Sequence, residues 1–264
     1  MIRKTVCMIV LSASAGLSGY GFAEGLAVNG EASVAVASAY VWRGKEINDA
    51  SVIQPQIALH LDKWTISAWG TWDVKSEAAS SDRTRVDVQG DYGFEWRNLQ
   101  LKAGSVARIY HDDPGNKVSD TYEVFAQVAA VDMALYPSLT LYYDFGTING
   151  LYASLAIGET WECNSWIDAV LDVRLGVASD GFVERFFAGS GDTGAAGGVS
   201  GSGTRGGLVD FSSSLSFPIQ CKRVVIAPKV EYATLVDSAL KNAVEAAGLS
   251  ADHTIISLVV SGSF

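Results

Sequence analysis

The sequence predicts an all-β protein: a transmembrane, antiparallel, up-and-down β-barrel of about twelve strands, with a short helix in its last extracellular loop. Three observations predict it. Apolar and polar residues alternate with period two through most of the chain, as strands with one apolar and one polar face require. The connections between these segments alternate between short and long. Aromatic residues collect near segment ends, where amphipathic rings favour a lipid–water boundary.

The first residues set the compartment. Arg3 and Lys4 precede an apolar stretch from Val6 to Leu17, and Gly21 and Ala23 occupy the small-residue positions of a signal-peptidase site. Residues 1–23 therefore read as a secretory signal and residues 24–264 as the barrel. The apolar run is too short and too diluted by Ser and Gly for a membrane anchor. Without Arg3 and Lys4 the chain keeps 17 basic against 29 acidic side chains, a balance of −12. That argues against a nucleic-acid partner. Cys7 leaves with the signal, so Cys163 and Cys221 remain as an even pair in an oxidising compartment.

The stretch R-T-R-V-D-V-Q-G-D-Y-G-F-E-W shows the alternation best. Val86, Val88, Tyr92, Phe94 and Trp96 share one face, and Arg83, Arg85, Asp87, Gln89, Asp91 and Glu95 the other; a helix would mix them. Comparable segments span 31–43, 51–60, 63–75, 83–96, 99–110, 120–131, 138–146, 150–161, 165–178, 207–217, 223–234 and 254–264. Roughly ten residues each is the length a tilted strand needs to cross a bilayer. Connections after even-numbered segments are mostly short (LD, RN, ECN, PIQCK), whereas several after odd-numbered ones are long, such as HDDPGNKVS. Short periplasmic turns and longer extracellular loops are the asymmetry of outer-membrane barrels.

A soluble sandwich would show the same alternation with its apolar faces inward. A closed soluble barrel of this many strands, however, would be too wide inside for its own side chains to fill. Tyr40 and Trp42, Trp64 and Trp72, and Tyr92 with Phe94 and Trp96 fit aromatic girdles. For Tyr40 and Trp42 a second reading is open, as stacking groups for sugar-like solutes.

The closing strand places Ile256, Leu258, Val260 and Phe264 on one face and stops at an aromatic residue. This resembles the C-terminal assembly signal of Gram-negative outer-membrane barrels, with Gly262 where the pattern often has an aromatic residue. The opening A-Y-V-W-R-G with Asn48, Asp49, Gln54 and Pro55, and the later Y-Y-D-F-G-T-I-N-G-L-Y, are similar to a loosely defined set of exported barrel proteins of the porin type. The resemblance implies bacterial outer-membrane location, lipid and the barrel-assembly machinery as partners, and a barrel architecture. It does not imply a substrate.

If the apolar faces meet lipid, the polar faces line the interior. Parity places Glu31, Arg43, Asp73, Arg83, Arg85, Asp87, Asp91, Glu95, Lys102, Arg108, Glu123, Asp144, Asp168, Asp172, Arg174, Asp210, Lys229 and Glu231 inside. One reading is a water-filled passage preferring cations or neutral polar solutes; the other is a plug of internal ion pairs that conducts nothing. For a passage, Arg43, Arg83, Arg85, Asp87, Asp91, Asp144, Asp172 and Arg174 are the candidates for lining it. Glu159 is an exception, since its parity points to lipid unless a bulge or a boundary position relieves it.

Cys163 precedes the ninth strand and Cys221 follows the tenth, so a disulfide between neighbouring strand ends is expected. Neither a metal site nor a cofactor is expected, because the pair lacks further ligands nearby in sequence. G-S-G-D-T-G (Gly189 to Gly194) matches a dinucleotide fingerprint on spacing but has no helix signal after it, and reads as an extracellular loop. F-V-E-R-F-F (Phe182 to Phe187) reads as additional strand, with a constriction at the mouth or a partner-binding segment as alternatives. Asp237 as N-cap and Gly248 as stop bracket a short helix, with Leu240, Val244 and Ala247 on one face.

A porin for passive diffusion of small hydrophilic solutes is the first functional expectation. A non-conducting scaffold or surface-binding barrel is the second, and a lipid-modifying barrel enzyme the third. The enzyme reading has only His60, His111 and His253 as candidate bases and no recognisable nucleophile motif, so no catalytic residue is assigned.

Overall fold

The computed structural model describes residues 28–74, 84–110, 120–187 and 205–264. The expected signal, Arg83, His111 and the G-S-G-D-T-G motif lie outside these residues. The chain runs through β1 (Val28–Ala37), β2 (Tyr40–Trp42), β3 (Lys45–Asn48), β4 (Val52–Leu61), β5 (Trp64–Asp73), β6 (Arg85–Trp96), β7 (Leu99–Tyr110), β8 (Thr121–Ala130), β9 (Ser138–Asp144), β10 (Gly150–Asn164), β11 (Ile167–Ala178), α1 (Asp180–Phe187), β12 (Gly207–Ser216), β13 (Ile219–Cys221), β14 (Val224–Leu235), α2 (Ser238–Ala246) and β15 (Asp252–Ser263).

Twelve strands pair antiparallel with their sequence neighbours, β1 pairs with β15, and β13 is a short addition at the foot of β11 and β14. The sheet is closed and has no open side, as lipid demands of any β structure that crosses it. At the seam Gly30 and Phe264 exchange backbone hydrogen bonds of 2.9 and 2.8 Å, and the Phe264 ring lies over Gly30.

Alternation aims the side chains as the pattern requires. Val34, Ile57, Ile66, Val88, Val124, Leu141, Leu155, Leu215, Val230 and Leu258 form an exposed aliphatic band on the outside. Two aromatic girdles flank it: Trp64, Phe94, Trp96, Trp161, Trp166 and Phe264 at one rim, Trp72, Tyr122, Tyr143 and Tyr232 at the other. An apolar band between aromatic belts is the outer surface of a transmembrane barrel. Ile256, Leu258, Val260 and Phe264 all face outward, Phe264 with 72% of its surface exposed. Glu159 also faces outward, opposite Leu171; the β10 bulge lies beyond it, between Glu162 and Asn164, so only its place next to the girdle residue Trp161 relieves it.

The first predicted strand does not run to residue 43. It ends at Ala37, and the chain turns inward as the hairpin β2–β3. Arg43 and Gly44, at φ 50° and 75°, form its two-residue turn. Two successive positive φ values mark the turn whose twist matches a tight hairpin. Gly44 is also packed so that a β-carbon would meet Asp210 and Leu235.

The segment Phe182 to Phe187 is helix α1 rather than further strand. Ser179 Oγ accepts the Phe182 N–H at 3.3 Å as an N-cap, and Phe182, Val183, Phe186 and Phe187 share the buried face. α2 forms where the caps place it: Asp237 accepts the Leu240 N–H at 2.7 Å, and Gly248 ends the helix at φ 79°. Leu240 and Val244 are buried, but Ala247 is exposed. The hydrogen bond from Lys241 to Asp252, 2.6 Å, ties α2 to the wall and raises the lysine pKa.

The expected disulfide is absent, and Cys163 and Cys221 are exposed free thiols. The strands do not stop before the cysteines. Cys163 belongs to β10 and Cys221 to β13, and Ile167 of β11 lies between Asn164 and Ile219. Two strand spacings, about 10 Å, therefore separate the two ends. Cys163 is one residue to one side of that row and Cys221 two to the other, adding about 10 Å along the strands. A bridge needs Cα atoms within about 7 Å.

Candidate functional site

The hairpin tip carries Trp42 and Arg43 into the barrel interior. Arg43 reaches Glu123 on β8 with two parallel hydrogen bonds, Nη1 to Oε1 at 2.7 Å and Nη2 to Oε2 at 2.9 Å. Such bidentate geometry is the strongest form of a carboxylate–guanidinium contact. In the circular strand order β8 is five strands from β1, which launches the hairpin, so the pair spans the interior. Glu123 is fully buried.

Around this pair the wall supplies more charge. Arg108 Nη1 lies 2.9 Å from Glu123 Oε2 and its Nε 3.4 Å from Asp87 Oδ2. Arg85 holds Asp87 through two 2.6 Å hydrogen bonds. The indole of Trp42 sits among all three arginines, with Arg85, Arg43 and Arg108 at 4.5, 4.6 and 4.8 Å from its ring. The π face gives each cation a second favourable contact where water is excluded.

Toward the mouth the interior turns apolar. Phe182, Phe186 and Phe187 of α1 pack with Tyr40, Ile47, Val52, Leu235, Leu240 and Val244 in one buried cluster. Trp42 meets Phe186 edge-on, with centroids 4.9 Å apart. Lys45 Nζ donates to the Phe186 carbonyl at 2.6 Å, satisfying an acceptor at the end of α1. His253 Nδ1 lies 3.0 Å from Glu46, linking β3 to β15. Hairpin and helix thus form a plug fixed to several strands.

The predicted interior residues separate into groups. Arg43, Arg85 and Asp87 meet in the plug, together with Arg108 and Glu123. Asp144 is turned to its own loop, accepting from Thr121 Oγ1 at 2.6 Å and from the Gly146 and Asn149 N–H groups. Asp172 and Arg174 form a separate pair on β11 at 3.2 Å. Asp91 lies farther from the mouth on β6 and accepts from Gln89 at 3.0 Å. Tyr40 and Trp42 are not girdle residues; the inward turn after Ala37 takes both into the interior. His60 faces inward beside Thr65 at 3.2 Å and Glu31 at 3.7 Å.

Sequence reading left two partnerships unnoticed. Tyr152 donates to both carboxylate oxygens of Asp210 at 3.1 and 3.2 Å, and a β-carbon on Gly176 would meet that carboxylate and the Tyr152 hydroxyl. α1 and its four buried side chains were the other. Residues 182, 183, 186 and 187 recur at helical spacing behind Ser179, and that was the available signal.

No protein-family model matches the chain, and no curated protein does. Among solved structures, the KdgM porin superposes with a TM-score of 0.51 at 12% sequence identity, covering 89% of this chain and 99% of that one. The NanC porin gives 0.50 at 11% identity, with the same coverage. The fold is that of a bacterial outer-membrane β-barrel. At such identities the likeness extends to the architecture and not to a ligand.

Proposed function

We propose that the protein is an outer-membrane porin for small hydrophilic solutes, narrowed at its extracellular half by the plug of β2–β3 and α1. The observation that carries this reading is the inward wall. From the level of the Arg43–Glu123 pair down to the periplasmic rim it is mostly polar and charged, in a barrel of a strand number that wall side chains alone do not fill. Acids such as Asp91, Asp168 and Glu95 outnumber bases below the plug, which favours cations and neutral solutes. Arg43, Arg85 and Asp87 set the constriction, with Asp91, Asp172 and Arg174 as further lining groups; Asp144, held by its own loop, is not among them. Export by the leader read at residues 1–23, and insertion by assembly machinery that reads Ile256, Leu258, Val260 and Phe264, belong to the same proposal. No catalytic role is part of it.

The burial of Phe182, Phe186 and Phe187 favours a second reading, a non-conducting scaffold that presents its loops and α2 at the cell surface. Single-channel recording in planar bilayers separates the two. A porin shows conductance steps that enlarge in Arg43→Ala and change ion selectivity in Arg85→Ala. A correctly folded protein that stays silent both as wild type and as Arg43→Ala is the scaffold.

A further inference from the structure

We infer that the interior face of β8, β9 and β10, just below the plug, is a binding subsite for an uncharged, ring-shaped polyol such as a hexose or its oligomer. The inference rests on the porin reading for the solvent-filled space beneath the plug. Phe125, Tyr142 and Tyr152 lie in one cross-strand row, Phe125 opposite Tyr142 and Tyr142 opposite Tyr152. Their ring centroids are 5.8 and 6.2 Å apart.

One row farther from the mouth the same strands present Gln127, Thr140 and Ser154 in register. Gln127 Nε2 donates to Thr140 Oγ1 at 3.0 Å. An aromatic shelf bordered by amide and hydroxyl groups matches a sugar on both sides of its chemistry. The partly exposed Phe125 ring offers an apolar surface to its C–H face, and the Gln127 amide, fixed by its hydrogen bond to the buried Thr140, can donate and accept toward its own hydroxyls.

The shelf has an accessible end. Arg43 covers Tyr152 and Tyr142 at 4.2 and 4.8 Å, and Tyr152 is buried. Phe125 stays partly exposed, with Tyr142 as its ring neighbour among the described residues. A solute rising from the periplasmic side would meet the polar row first, then Phe125, and the Arg43 guanidinium last. None of the six shelf residues is charged, whereas β11 and β14 carry the ion pairs Arg174–Asp172 and Lys229–Glu231. Lys102, opposite Gln127 on β7, is the one charged neighbour in the polar row. An uncharged ligand occupies the shelf without stripping water from an ion of its own.

Calorimetric titration of the full chain in detergent micelles tests this, with maltotriose as the neutral ring probe, sorbitol as an open-chain polyol and glucuronate as a charged ring. Maltotriose should bind, sorbitol and glucuronate less well. Phe125→Leu, which removes the ring but keeps an apolar side chain, should weaken maltotriose by about tenfold or more. Phe125→Trp should restore it, and Phe94→Leu on the lipid face should leave it unchanged. Absence of binding, equal binding by Phe125→Leu in a folded protein, or tighter binding of glucuronate overturns the subsite. Binding is read here without conduction, so a protein that conducts but does not bind refutes the shelf alone. One that binds but never conducts supports the shelf and refutes the passage.

Discussion

Arg43 and Glu123 are joined across the barrel interior by two hydrogen bonds of 2.7 and 2.9 Å, and the carboxylate is wholly buried. Glu123 is also the partner of Arg108, so it balances two guanidiniums at once. Glu123→Gln leaves both buried with less counter-charge, and removing one member of a buried pair costs about 3–5 kcal/mol. Denaturant unfolding in micelles, followed by tryptophan fluorescence, should show a loss of this size. Adding Arg43→Met should recover part of it, because an apolar side chain asks for no counter-ion. A double variant no more stable than Glu123→Gln alone would show that Arg43 is not what the carboxylate compensates.

Much of this architecture could be read from residue order. Period-two alternation is a direct consequence of strand geometry, so the wall strands, their facing and the short turns follow from sequence alone. What escaped were the places where the chain leaves the wall. Y-V-W-R-G continues the apolar alternation of β1, and only the Arg-Gly pair signals a two-residue turn, with Arg43 in a left-handed conformation that few side chains adopt. In α1 the aromatic residues suit strand propensity, but the Ser179 cap and the burial of one helical face decided the outcome. Contacts across the interior, such as Arg43 with Glu123, depend on barrel closure and leave no local trace in sequence.

The inward placement of Trp42 separates it from the girdle tryptophans. In variants keeping a single tryptophan, Trp64 or Trp96 should be quenched by lipids brominated on their acyl chains, since each has more than half its surface exposed on the outer face. Trp42, enclosed by guanidiniums, should be nearly insensitive. Quenching of Trp42 to the level of Trp64 would return it to the girdle and undo the inward hairpin.

The two cysteines should behave as independent thiols. Without any reductant, a membrane-impermeant maleimide should add to both Cys163 and Cys221, giving a doubly labelled mass in the folded protein. Labelling should come from the side bearing the short turns, where both residues are exposed. An unlabelled protein that takes two adducts only after reduction would mean that the ends of β10 and β13 approach each other by roughly half the separation their register implies.

Gly176 leaves room for the Tyr152–Asp210 pair, which gives the two sites a coupled energy. Gly176→Ala sets a methyl group against both the carboxylate and the phenol hydroxyl, and overpacking of this kind costs about 1–3 kcal/mol. Tyr152→Phe removes the donor that serves both Asp210 oxygens, costing a further 1–3 kcal/mol or so for a buried acceptor losing its partner. The two losses should not add. Without its hydroxyl the ring no longer crowds the new methyl group, and the carboxylate is freer to turn aside. The double variant should therefore be more stable than the sum of the single losses predicts, by more than the roughly 0.5 kcal/mol within which independent sites add. Unfolding midpoints of the four proteins measure this directly, and strict additivity would mean that Gly176 is required for some reason other than the pair it faces.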